Sequence, residues 1–190
     1  MGRGGMKIIA FVGAPASGKT EAANVARELG IPVISMGDVI REELKRRGLP
    51  LTDENAGKVG DELRQKDGMD AVARRCIPMI RAASKATDVV VVEGIRGIAE
   101  VEAFKREFGD DFLLVRVEAS FPTRYERIKR RGRGDDALSP EEFRRREERE
   151  MSWGMAEAMK IADIAVENES SLEEFKEEIK KLLENITRRG

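Results

Sequence analysis

Histidine is missing from all 190 residues of the chain. Its absence excludes imidazole acid/base catalysis, the Ser-His-Asp arrangement and every His-containing metal site. Chemistry here must run on carboxylates, lysine, arginine or a bound metal. The one cysteine, Cys76, cannot close an internal disulfide and is expected to be a small buried hydrophobe. No apolar run approaches the roughly 20 residues of a membrane span. Met1 to Gly5 has no apolar stretch for a signal peptide, and Met6 stands where a myristoylation motif needs Ser or Thr. Met1 to Gly5 is therefore expected to be a disordered leader, with Met6 a second candidate start, and the protein to be soluble and cytoplasmic. A surplus of one charge sign is also lacking: 35 Lys and Arg face 36 Asp and Glu, which excludes a polyanion binder driven by bulk charge. Amides are scarce, with Gln65 alone and four Asn beside 37% charged residues, a bias toward ion pairs that suits a thermophilic source.

A chain of this length holds one domain with a sizeable core. The run Lys7 to Gly13 (KIIAFVG) reads as a strand buried on both faces. Similar runs recur at Ile31 to Ser35, Asp88 to Glu93, Phe112 to Glu118 and Ile164 to Val166, separated by charge-rich, helix-like sequence. Strands alternating with helices predict a five-stranded parallel sheet with helices on both faces, an α/β fold. Ser139-Pro140-Glu141-Glu142 and Ser171-Leu172-Glu173-Glu174 match the capping box. After the second, Leu172, Phe175, Ile179, Leu182 and Ile186 predict an amphipathic closing helix. Leu49 to Ala86 has no strand signal and reads as a helical insertion. Arg124 to Arg149 carries ten basic and seven acidic residues around the turn Gly132 to Asp136. Met151, Met155 and Met159, at helical spacing, read as core, and Trp153 as core or hinge packing.

Gly13-Ala14-Pro15-Ala16-Ser17-Gly18-Lys19-Thr20 matches the G-x-x-x-x-G-K-[ST] phosphate-binding loop, between the first strand and a helix. Glycines let backbone N–H groups curl around a phosphate, the helix N-terminus at Lys19 adds its dipole, and the Thr20 hydroxyl can ligate Mg²⁺. Lys19 would bridge the β- and γ-phosphates. A guanine-reading Asn-Lys-x-Asp run is absent, which disfavours a GTPase switch.

Three segments then resemble nucleoside monophosphate kinases of the adenylate-kinase kind. Ser35-Met36-Gly37-Asp38-Val39-Ile40-Arg41 is similar to that family's S-T-G-D-x-x-R segment, and Val92-Glu93-Gly94-Ile95-Arg96 to its D-G-x-P-R segment, with Glu for Asp and Ile95 for Pro. The resemblance implies a P-loop NTPase fold, ATP and Mg²⁺ as cofactors, Asp38, Arg41 and Arg96 at the acceptor phosphate, and Glu93 with Thr20 in the magnesium shell. Arg133-Gly134-Asp135-Asp136 and Arg144 to Arg149 resemble the end of a short lid, implying that Arg133 and Arg146 clamp the transferring group, with Arg144, Arg145 and Arg149 as rivals of Arg146. The insertion falls where such kinases keep their acceptor-binding helices. Glu28 to Ile34 and Ala162 to Asn168 resemble dephospho-coenzyme A kinases instead, although Ser35 stands where that family has Asp. Trp153-Gly154 and the Arg-Gly-Arg run resemble a group of archaeal adenylate-kinase-like proteins, a likeness that supplies no substrate.

The arginines make chemical sense, because phosphoryl transfer needs in-line positioning and charge neutralisation, and planar guanidinium groups grip phosphate oxygens in pairs. The expected partner is a small-molecule nucleotide acceptor, with no nucleic acid and no membrane. A nucleotide-hydrolysing or sensing module, or an RNA-binding protein, is the rival reading. Arg41 and Arg96 argue against the first, and the lone Tyr125 in a diluted basic run argues against the second.

Overall fold

The computed structural model describes residues 5–131 and 139–189, and its elements follow the expected alternation. They are β1 (Lys7–Val12), α1 (Lys19–Glu28), β2 (Val33–Ser35), α2 (Met36–Arg46), α3 (Asp53–Asp67), α4 (Ala71–Ala83), β3 (Val89–Glu93), α5 (Ile98–Phe108), β4 (Phe112–Glu118), α6 (Phe121–Arg131), α7 (Pro140–Glu150), a π turn (Met151–Met155), α8 (Ala156–Lys160), β5 (Ile164–Glu167) and α9 (Leu172–Arg189). The five strands are all parallel, in the order β2-β3-β1-β4-β5. β1 therefore lies at the centre, and the chain leaves it toward β2 on one side and returns to β4 on the other. In open parallel sheets such a reversal opens a crevice beyond the strand C-termini.

The uninterrupted apolar strands are explained by two cores, one on each face. Ile9, Phe11, Val89, Val91, Val115 and Val117 pack under α1 and α9, against Phe175, Ile179 and Leu183. Ile8, Ala10, Val90, Val92 and Leu114 point the other way, toward α2, α4 and α5, where Leu44, Ile80 and Phe104 are fully buried. Cys76 is fully buried in this second core, and burial pushes its thiol up to about 12, so it is unreactive as expected. Met155 is buried there too, with Met151 and Met159 partly so.

Helix starts follow the local chemistry. Ser139 Oγ accepts the Glu142 N–H at 3.2 Å while the Glu142 carboxylate accepts the Ser139 N–H at 2.7 Å, a closed capping box. Ser171 Oγ likewise accepts the Glu174 N–H at 3.2 Å. In α9 the inward stripe is Phe175, Ile179 and Leu183, with Leu182 and Ile186 only at its margin. Leu172 is 48% exposed, because it opens the first turn before the helix reaches its seat on α1. The insertion forms α3 and α4, with no strand between β2 and β3 among the described residues. Also among the described residues, no helix is long and apolar enough to cross a membrane.

Phe175 joins α9 to the sheet and is fully buried. Phe175→Ala should cost about 3–5 kcal/mol, read as a lower urea midpoint with an unchanged slope.

Candidate active site

β1 gives way to Gly13, where an added Cβ would sit 2.5 Å from both Ser17 Oγ and the Val117 carbonyl, so only glycine lets the loop turn this tightly. The loop then runs through Ala16 at φ +61° and Gly18 at φ +116° before α1 begins at Lys19. A left-handed alanine costs about 1–2 kcal/mol and must be held by its surroundings. The holding groups come from distant elements. Arg124 of α6, only 4% exposed, donates to the Pro15 carbonyl at 3.2 Å, the Ala119 carbonyl at 2.9 Å and the Glu147 carboxylate at 2.8 Å. Its guanidinium packs beside the paired rings of Phe121 and Phe143, 5.6 and 5.7 Å from their centres. Asn168, just beyond β5, donates from Nδ2 to the Ser17 carbonyl at 2.8 Å and is itself held by Arg127. With the Pro15 and Ser17 carbonyls tied outward, a phosphate meets the N–H side of the loop.

Sequence reading missed both anchors. Arg124 stood only as the first residue of a basic run, and Asn168 only inside a family resemblance. The position of Asn168 directly after the last strand, at the ligand end of a parallel sheet, was the usable signal.

Lys19 Nζ donates to the Gly13 and Ala14 carbonyls at 2.6 and 3.0 Å. Burial lowers its pKa to about 8, against the opposing pull of Glu150 and with the help of Arg124 and Arg146. Lys19 also lies where two crevices meet. The first, of about 800 Å³, opens toward α7 and the π turn and includes Arg145, Arg146, Arg149 and Trp153. The second, of about 720 Å³, opens toward α2 and α3 and includes Thr20, Arg41, Arg64 and Glu93. Gly94, Ile95 and Arg96, after β3, line both.

The expected site residues distribute accordingly. Arg41 lines the second crevice, half exposed, with its Nε on the Asp38 carboxylate at 3.0 Å. Asp38 does not line that crevice and serves as the partner of Arg41. Thr20 and Glu93 line the same crevice, and Glu93 accepts a hydrogen bond from Arg27. Arg146 reaches the first crevice, its Nε 3.2 Å from Glu150. Arg145 and Arg149 line that crevice as well, whereas Arg144 turns away to stack 4.3 Å over Phe121. Arg133 lies outside the described residues. Arg64, which the sequence did not single out, also lines the second crevice.

Of the two expectations for Trp153, core or hinge packing, the first is corrected. Trp153 is 41% exposed on the wall of the first crevice, with the Arg96 guanidinium 5.8 Å from its ring centre. The cause is Gly154, whose φ of +100° breaks the helix into a π turn and swings the indole outward. Gly97 completes the joint, since a Cβ there would collide with the Trp153 carbonyl oxygen.

Glu100 was also missed. It is 2% exposed in the first turn of α5, with one carboxylate oxygen accepting the Arg96 N–H at 2.8 Å. Burial pushes its pKa up, opposed by that hydrogen bond and by Arg64 and Arg96.

Residues 12–144 match the AAA domain family. A UPF0200 protein of Methanosarcina barkeri is 55% identical over 96% of this chain and 97% of its own length. The chain belongs to the UPF0200 family. A UPF0200/UPF0201 protein of Archaeoglobus fulgidus is 61% identical over 94% of the chain, which spans only 55% of that longer relative. In three dimensions this UPF0200 chain is similar to a dephospho-CoA kinase from Campylobacter jejuni, with a TM-score of 0.64 at 16% identity, covering 95% of this chain and 97% of that one. The fold is that of P-loop kinases, as the sequence led one to expect.

Two outcomes are expected of the loop. Lys19 titrates near 8, so its charge is present at pH 7 and about nine-tenths lost at pH 9. ATP affinity should fall about tenfold between those values, read by calorimetry, while Lys19→Met binds weakly at both. Asn168→Ala releases the Ser17 carbonyl and should weaken ATP binding about fivefold to tenfold with the fold retained, a loss of about 1 kcal/mol. Unchanged affinity would show that Asn168 does not hold the loop.

Proposed function

We propose that this UPF0200 chain is an ATP- and Mg²⁺-dependent kinase that transfers a phosphoryl group to a nucleotide acceptor, with a nucleoside monophosphate as the preferred one. The observation that carries the reading is the meeting of two arginine-lined crevices at Lys19. A hydrolase needs one crevice for the triphosphate; a transferase needs a second, opening on the same lysine. On the donor side Arg145, Arg146 and Arg149 neutralise charge on the transferring group, with Arg133 as a further candidate. On the acceptor side Arg41 and Arg96 grip the acceptor phosphate.

Mg²⁺ fits the oxygen donors present. Thr20 and Glu93 supply a hydroxyl and a carboxylate in one crevice, and Mg²⁺ is ordinarily held by one or two such groups together with substrate phosphates. Among the described residues there is no denser acidic cluster that would hold a metal without substrate. When bound, the ion would neutralise phosphate charge. Lys19 orients the donor phosphates, and Arg96, lining both crevices, spans donor and acceptor.

The choice of a phosphate over a hydroxyl acceptor rests on acid/base chemistry. A hydroxyl of very high pKa wants a free carboxylate in reach, whereas an acceptor phosphate is already anionic. Asp38 does not line the acceptor crevice, Glu93 is committed to the metal ion, and Ser35 is a poor base. ADP release is the test, with nucleoside monophosphates and dephospho-coenzyme A offered in parallel. A monophosphate should win, and Arg41→Ala or Arg96→Ala should raise its KM tenfold or more while ATP affinity holds. Efficient turnover of dephospho-coenzyme A alone would overturn the acceptor assignment, and acceptor-independent ADP release would overturn the kinase.

A further inference from the structure

The arginines that line the two crevices are held in different ways. Arg41 is paired with Asp38, Arg64 lies 3.7 Å from Glu100, and Arg146 reaches Glu150 at 3.2 Å. Arg96 lines both crevices, and among the described residues no carboxylate is ion-paired with its guanidinium. What meets the guanidinium is the indole of Trp153, 5.8 Å away at the ring centre. The main chain of Arg96 is fixed separately, its N–H donating to the buried Glu100 carboxylate at 2.8 Å.

Unusual local structure goes into placing that indole. α7 gives way to a π turn, a feature found frequently at functional sites. Gly154 takes a φ of +100°, where a Cβ would come within 2.8 Å of the Ile98 nitrogen, and a Cβ at Gly97 would lie 2.0 Å from the Trp153 carbonyl oxygen. Two glycines thus keep a large ring 41% exposed that burial would otherwise favour. The difference between a ring and a carboxylate as the holder is electrostatic. A carboxylate cancels the charge of a guanidinium and must be displaced before a phosphate can take its place. An aromatic face attracts the cation through its quadrupole and leaves the charge available.

We propose that Trp153 is a positioning residue for the acceptor phosphate: its indole holds the Arg96 guanidinium at the junction of the two crevices with the charge uncancelled. The proposal rests on the kinase reading above, in which Arg96 grips that phosphate. Arg41 then exchanges Asp38 for the incoming anion, while Arg96 meets it without giving up a counter-ion.

Two substitutions separate the ring face from mere bulk. Trp153→Phe keeps a ring, and Trp153→Leu keeps apolar bulk without a quadrupole; both stand at an exposed position, and circular dichroism checks that they fold. Trp153→Leu should raise the KM for a nucleoside monophosphate about threefold to fivefold, the range a cation–π contact at an exposed site supplies, with Trp153→Phe close to the parent. ATP affinity by calorimetry should not move in either. In an Arg96→Ala background Trp153→Leu should change nothing further, because the ring then has no cation to hold. Trp153 is the sole tryptophan, so its emission should change as the monophosphate saturates the parent protein. Equal losses in Trp153→Phe and Trp153→Leu, a Trp153→Leu penalty that persists without Arg96, or emission unmoved by the acceptor would overturn this inference and leave the kinase reading standing. If Arg96→Ala leaves the acceptor KM where it was, or no monophosphate is phosphorylated, the acceptor reading itself falls and takes the inference with it.

Discussion

A loop can cradle a phosphate only when its N–H groups face inward and its carbonyls outward, and in this protein that orientation is imposed from behind. Arg124 ties the Pro15 carbonyl and Asn168 the Ser17 carbonyl. One anchor comes from α6 and the other from the end of β5, so the loop is shaped by the packed sheet as well as by its own glycines. The left-handed Ala16 and Gly18 depend on that support. Lys19 is curled onto the Gly13 and Ala14 carbonyls. Its lowered pKa expresses the cost of burying an ammonium among arginines.

A second joint carries the arginines. The π turn seats the Trp153 carbonyl against Gly97 and Gly154 against the Ile98 N–H, closer than a Cβ at either glycine would permit. The loop after β3 and the end of α7 are thereby packed as one unit. Arg96 from that loop and Arg145, Arg146 and Arg149 from α7 consequently face one crevice. Helical periodicity settles the rest: Arg144 lies on the opposite side of α7, against Phe121.

The ion pairs are arranged to yield. Arg41 and Asp38 are about half exposed, in a class of pair worth about 0–1 kcal/mol, so under the proposed function an acceptor phosphate would displace the carboxylate at little cost. Arg124 and Glu147 differ in kind. The Arg124 side chain is 5% exposed and packs beside two aromatic rings, and breaking that contact would strand a buried charge. The exposed pair can thus exchange partners, while the buried Arg124 holds the frame.

Much of this was legible from residues alone, because local chemistry carries it. Buried strands announce themselves as unbroken apolar runs, the phosphate loop by glycine spacing between strand and helix, and the capped start of α7 by Ser139 and Glu142. Periodicity placed α9 but misjudged Leu172, since a helix's first turn can precede its seat in the core. Long-range packing decided the remainder. Arg124 looks like any surface arginine until it is buried beside Phe121 and Phe143, and Asn168 like any polar residue until β5 brings it to the Ser17 carbonyl. Glu100 reads as a helix-start acid, and only the approach of α3 brings Arg64 to its buried second oxygen. Trp153 reads as core by composition, yet the positive φ of Gly154 turns it into the crevice. Local sequence determines which elements form, whereas the contacts that make a site join residues as far as 151 positions apart, and those exist only once the sheet has assembled.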